Sequence, residues 1–119
     1  MSDQSFPKTL RLLNSHDFKT VFDNAEIKVS NGEFLILACR SSHQFPRLGL
    51  VIAKKNIRLS VQRNRIKRII REGFRKHQKT LGNIDLVVLT RHGIDRLENP
   101  ELNTNLNKLW RKLANKVIK

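Results

Sequence analysis

Arg47-Leu48-Gly49-Leu50-Val51-Ile52-Ala53, the basic stretch from Lys54 to Lys79, and Ile84-Asp85-Leu86-Val87-Val88-Leu89 follow one another with only a short turn between the last two. The outer pieces are short runs of Leu, Val and Ile and read as strands over Leu48–Ala53 and Ile84–Leu89. The middle piece has a helical period. At about 100° per residue, Ile66, Ile69, Ile70, Gly73 and Phe74 share one side. Asn64, Arg68, Arg71 and Arg75 lie on the opposite side, with Arg65 and Lys67 at its margins and Arg63 nearer the apolar side in the first turn. Ser60 is the expected N-cap and Thr80-Leu81-Gly82 the stop. A helix of this length between two strands suits a parallel crossover. Gly49, inside a strand, marks a close approach of another backbone or a ligand.

Upstream of this unit, Ile27–Ser30 and Glu33–Cys39 read as two strands joined through Asn31-Gly32, a hairpin signal. The second is apolar on both faces, so each face should meet a partner. The polar stretch Ser41 to Pro46 ends it. Before the hairpin, Phe18, Val21, Phe22 and Ala25 form an apolar stripe on a helix starting near Asn14, with Asn14 as cap and Asp17 at the positive helix end. Downstream, Arg91-His92-Gly93 turns the chain, and Asn99 (N-cap), Pro100 (first helical position) and Glu101 open a final helix. Its buried stripe runs Leu102, Leu106, Leu109, Trp110, Leu113 and Val117. The expected fold is α+β: an αβββαβα sandwich in which a four-stranded mixed sheet is packed with helices and a basic helix joins strands three and four. Residues 1–119 read as one domain, since no repeat or linker interrupts them.

The charge is concentrated. The 119 residues hold 24 Lys and Arg against 10 Asp and Glu, a formal net charge of +14. Eleven of those cations lie between Lys54 and Lys79, opposed only by Glu72. Exposed helices that serve only solubility interleave Glu with Lys, and this one does not. Arg63–Lys67, Lys67–Arg71 and Arg71–Arg75 are like-charge pairs at i, i+4, a self-repulsion that a bound polyanion would relieve. Guanidinium groups along a docked helix can also grip phosphates in pairs of hydrogen bonds. Nucleic acid is therefore the expected partner. An acidic membrane surface would instead suit a basic helix with bulky apolar anchors and little need of a folded core.

Other classes find little support. No stretch approaches the ~20 apolar residues of a membrane span, and the first ten residues lack the apolar region of a secretory signal. The cytoplasm is the expected setting. With Cys39 alone there is no disulfide and no thiol cluster for zinc. His16, His43, His77 and His92 show no metal-ligand spacing and read as surface residues. Asp17, Asp95, Glu98 and Glu101 read as helix-start residues, Asp85 as an edge or strand-end carboxylate, and Cys39 as a small buried hydrophobe. No protein residue is expected to be catalytic and none to hold a metal. Phe18 and Phe22 are open to two readings, core or a platform for stacking bases.

The segment Arg47 to Lys55, followed by Arg63-Asn64-Arg65-Ile66-Lys67-Arg68 and Arg71-Glu72-Gly73-Phe74-Arg75, closely resembles the bacterial ribonuclease P protein component. The Phe18, Val21 and Phe22 stripe, the fourth strand and the Leu109-Trp110 helix match in the same order, so the resemblance spans nearly the whole chain. It implies a protein that assembles with a catalytic RNA and promotes removal of the 5′ leader of precursor tRNA. Catalysis would belong to the RNA and its Mg2+ ions, with no cofactor on the protein and no obligate protein partner. The residues it assigns to the RNA subunit are Lys54, Lys55, Arg58, Arg63, Asn64, Arg65, Lys67, Arg68 and Arg71. Those it assigns to the leader are Phe18, Phe22, Leu37 and Val51. Some relatives carry Tyr where this chain has Leu37, and the chain has no Tyr, which turns the expected leader contacts toward apolar and backbone groups. A ribosomal or other structural RNA-binding protein shares the size, charge and docked basic helix. A metal-dependent nuclease acting alone is the third class.

Overall fold

The computed structural model describes Arg11, residues 15–41 and residues 45–118. The elements are α1 (Ser15–Asp23), β1 (Ile27–Ser30), β2 (Phe34–Arg40), β3 (Arg47–Val51), α2 (Ser60–Leu81), β4 (Ile84–Thr90), a short 3-10 turn (Ile94–Arg96) and α3 (Asn99–Ile118). The strands form one mixed sheet in the order β1-β2-β4-β3. β2 pairs antiparallel with both β1 and β4, and β3 lies parallel to β4. The basic helix α2 is thus the parallel crossover expected from its length.

Alternation along the strands divides the sheet into two apolar faces. Ile27, Val29, Phe34, Ile36, Ala38, Leu48, Leu86 and Val88 point one way, onto Ile66, Ile70 and Phe74 of α2 and the Leu102–Leu113 stripe of α3. On the other face Cys39 and Val87 are buried against Val21 of α1, flanked by half-buried Phe18, Leu37, Val51 and Leu89. The two-sided apolar character of β2 follows from this arrangement, with α1 on one side and α2 and α3 on the other. Among the described residues no helix is long and apolar enough to cross a membrane.

Gly73 sets how closely α2 and α3 approach. A Cβ placed there would lie 2.5 Å from Nε1 of the fully buried Trp110. The indole is tilted against Phe74, with centroids 6.3 Å apart, and stacks on His77 at 6.2 Å. His77 is half-buried, and its Nδ1 lies 2.9 Å from the Gly73 carbonyl oxygen. The expectation of a surface histidine therefore fails for His77 and holds for His16 and His92, while His43 lies outside the described residues. Gly73→Ala should lower unfolding stability by about 1–3 kcal/mol through overpacking. An unchanged urea midpoint would refute so tight a contact.

Local punctuation differs from the sequence reading at three places. The N-cap position of α2 is Leu59, not Ser60, and no side chain caps it. α3 begins with Asn99, and Leu102 N–H donates to the Glu98 carbonyl, so the cap lies one residue before the expected Asn99. β1 ends at Ser30 and β2 begins at Phe34, so the hairpin loop has three residues, not two. There the Asn31 side-chain oxygen accepts from the N–H groups of Glu33 and Phe34 at 2.9 and 2.8 Å, and Gly32 has no positive φ. The side chain of Asn31, not the backbone freedom of Gly32, makes the turn. Gly82 (φ 72°) ends α2 as expected, in a backbone region open to glycine. Asn14, the expected cap of α1, lies outside the described residues.

Candidate nucleic-acid interface

The apolar stripe of α2 is seated on the sheet, and this fixes where its cations go. Asn64, Arg68 and Arg75 are exposed. Lys54, Lys55 and Arg58, on the segment leading into α2, are exposed as well. That segment is held by Ile57, fully buried, and by Asn56 Nδ2, which donates to the Thr90 carbonyl at 3.1 Å. Five of the nine expected RNA-subunit residues, Lys54, Lys55, Arg58, Asn64 and Arg68, thus lie on accessible surface.

The other four, Arg63, Arg65, Lys67 and Arg71, behave differently. Arg63 NH1 donates to the carbonyls of Ile57 and Arg58, at 3.0 and 2.9 Å. The guanidinium thereby ties the approach segment to the first turn of α2. Lys67 and Arg65 lie on opposite margins of the helix and are half-buried. Arg65 donates through Nε to Gln62 Oε1, through NH1 to Asn99 Oδ1 and through NH2 to the Asp95 carbonyl, so it links α2 to the start of α3.

Lys67 meets Arg71 in a groove of about 180 Å³ at the outer edge of β3, lined also by Phe18 and by Leu48, Gly49 and Leu50. Arg11, which forms a parallel bridge to Leu48, closes one end. Arg71, which helical phase places on the solvent face, is half-buried. Burial, then the positive charge of Arg11, hold its pKa below the ordinary arginine value. Among the described residues, three cations and no carboxylate line the groove. An anionic chain entering it would offset this repulsion in a partly dehydrated setting, where charge counts for more than in water.

The four expected leader residues separate. Phe18, Leu37 and Val51 flank one small core, and Phe18 also forms a wall of the groove. Phe22 is 44% exposed and belongs to neither. Arg11, Leu48 and Leu50 line the groove without having been marked in the sequence. Burial along β3 does not alternate, and nothing local in the sequence marks Arg11.

Asp85 lies near the start of β4, an interior strand, so its edge placement is corrected and its strand-end placement stands. Arg47 donates to both its oxygens, Nε to Oδ1 at 3.0 Å and NH2 to Oδ2 at 2.7 Å. Asp17 Oδ2 stands 3.9 Å from Arg47 NH1. The hydrogen bonds to Asp85 raise the pKa of Arg47 against the opposing effect of burial. Cys39, opposite Asp85 in the sheet, has its thiol pKa pushed up, first by burial and then by that carboxylate. Among the described residues no three His, Cys, Asp or Glu side chains come together in a way that could hold a metal ion.

A family model described as ribonuclease P matches residues 6–114. A protein of Marinomonas sp. named ribonuclease P protein component is 45% identical over 119 residues, covering all of this chain and 90% of the relative. One of the same name from Pseudomonas aeruginosa is 49% identical over 113 residues, 95% of this chain and 84% of the relative. Among solved structures, the Staphylococcus aureus RNase P protein is similar with a TM-score of 0.80 at 26% identity, covering 88% of this chain and 95% of that one.

Proposed function

The chain belongs to the ribonuclease P protein family, and from this we propose that it assembles with the catalytic RNA of ribonuclease P and captures the 5′ leader of precursor tRNA. Family membership takes the place of the ribosomal and free-standing nuclease readings. The observation that carries the proposal is the separation of two basic surfaces on one helix. Arg68, Asn64 and the approach cations Lys54, Lys55 and Arg58 face outward toward the RNA subunit. Lys67 and Arg71 turn instead into the β3 groove beside Phe18, where a single strand has phosphates to place on the cations and bases to lay on the ring. Lys67 and Arg71 thus pass from the RNA-subunit set to the leader set.

The chemistry of cleavage belongs in this reading to the RNA and its Mg2+, in the cytoplasm. The protein contributes phosphate contacts, an apolar wall and a fixed distance between its two surfaces.

Reconstitution with ribonuclease P RNA at low Mg2+ tests the proposal through leader removal. Phe18→Ala and Arg71→Ala should leave assembly intact and weaken capture of precursor tRNA by about 1–3 kcal/mol each, for a lost stacking or charge-assisted contact. The effect should vanish for a substrate without a leader. Phe18 is half-buried, so melting is measured beside binding. Equal losses with and without a leader would overturn the groove assignment.

A further inference from the structure

A second cavity, of about 610 Å³, lies on the side of α2 away from the β3 groove. One wall is the approach segment, with Lys55, Arg58 and Leu59. The other is the turn after β4, with His92, Gly93 and Arg96. Leu59 is 63% exposed, and Val61 beside it is 71% exposed, so two large apolar side chains stand in water among cations. Among the described residues, Asp95 is the one carboxylate in the lining, against Lys55, Arg58 and Arg96.

The two walls are held by the paired arginines of the helix. Arg63 donates to the carbonyls of Ile57 and Arg58 and fixes the first wall. Arg65 donates to the Asp95 carbonyl and to Asn99 and fixes the second. Asn56, reaching the Thr90 carbonyl, ties one wall to the other. The donors of Arg63 and Arg65 point at protein carbonyls and at the side-chain oxygens of Gln62 and Asn99, so their place in the fold is structural.

Given assembly with the RNA subunit, as proposed above, we infer that this cavity receives one unstacked nucleotide of that RNA, with Arg63 and Arg65 as positioning residues. The base lies against Leu59 and the His92 ring, and the flanking phosphates meet Lys55, Arg58 and Arg96. The volume falls in the range of small-ligand pockets. The mixture of apolar surface and cations is what a splayed-out base and its backbone require.

Titration of in vitro transcribed ribonuclease P RNA with the full chain, over a series of salt concentrations, tests this. Leu59→Ser should weaken binding about tenfold at every salt, because a lost apolar contact releases no counterion. Arg96→Ala should weaken binding and lower the slope of log affinity against log salt by about 0.7–0.9, one phosphate's share. Arg65→Ala should weaken binding with the slope unchanged, as a positioning role demands. Leu59 and Arg96 are exposed, so unchanged melting of those two variants is expected. Leu59→Ser binding like the parent, or Arg65→Ala removing a phosphate's share of the slope, would overturn the pocket. A parent chain that does not bind this RNA would overturn the functional proposal itself.

Discussion

Between about 50 and 200 mM monovalent salt, affinity for the RNA subunit should fall about a thousandfold, the loss expected when about six phosphates are contacted. The number follows from the exposed cations gathered on one surface: Lys54, Lys55, Arg58, Arg68 and Arg75, with Lys76 beside them. Each contacted phosphate releases condensed counterions, and the entropy of that release fades as bulk salt rises. Fluorescence titration of labelled RNA at four or five salt concentrations measures the slope. A slope near zero would mean that the basic face is mere solvation and that RNA docks elsewhere. Arg→Lys at Arg68 keeps the charge and should keep the slope, while losing the affinity that depends on the planar fork.

Asp85→Ala should cost about 3 kcal/mol of stability, because it leaves the Arg47 guanidinium in a largely enclosed site without its bidentate partner. The side chains of Arg47 and Asp85 are only 17% and 7% exposed, so water replaces the lost carboxylate poorly. Asp17, 3.9 Å from Arg47 NH1, recovers a small part. Such a loss is a large share of the ~5–15 kcal/mol that holds a domain folded. Urea unfolding reads it directly. Single-turnover cleavage by the reconstituted complex, measured where the variant remains folded, should be nearly unchanged. A loss of about three orders of magnitude or more there, with RNA binding intact, would place a catalytic group on the protein.

What is legible in the sequence is whatever repeats along the chain. The apolar stripe of α2 recurs every three or four residues, and the strands are short apolar runs, so element order and the parallel crossover are legible. Asp85 shows the limit. Its partner Arg47 is 38 residues away, and no local pattern connects them. The sheet order that makes β4 interior is equally non-local, which is why an edge position looked natural for a lone acid. The site divides in the same way. The exposure of Arg68 follows from helical phase, but Arg71 is half-buried because the β3 edge and Arg11 stand beside it. Arg63 and Arg65 look like two more surface cations until the carbonyls they serve are seen. Phe18 and Phe22 occupy one helical stripe, yet α1 is too short to cover the sheet face, so one reaches the groove and the other reaches water.

The packing around Trp110 also gives the molecule an internal reporter. The chain has one Trp and no Tyr, so its near-ultraviolet emission arises almost wholly from a single indole. That indole is enclosed between α2 and α3, beside Phe74 and His77, on the side of α2 turned away from Asn64 and Arg68. RNA docking on the outer cations does not reach the ring, whereas loosening of the helix pair exposes it to water. Emission at long excitation wavelength therefore follows the integrity of the fold while the outer surface is being titrated, and a variant whose Trp110 spectrum matches the parent has lost a contact and not its structure.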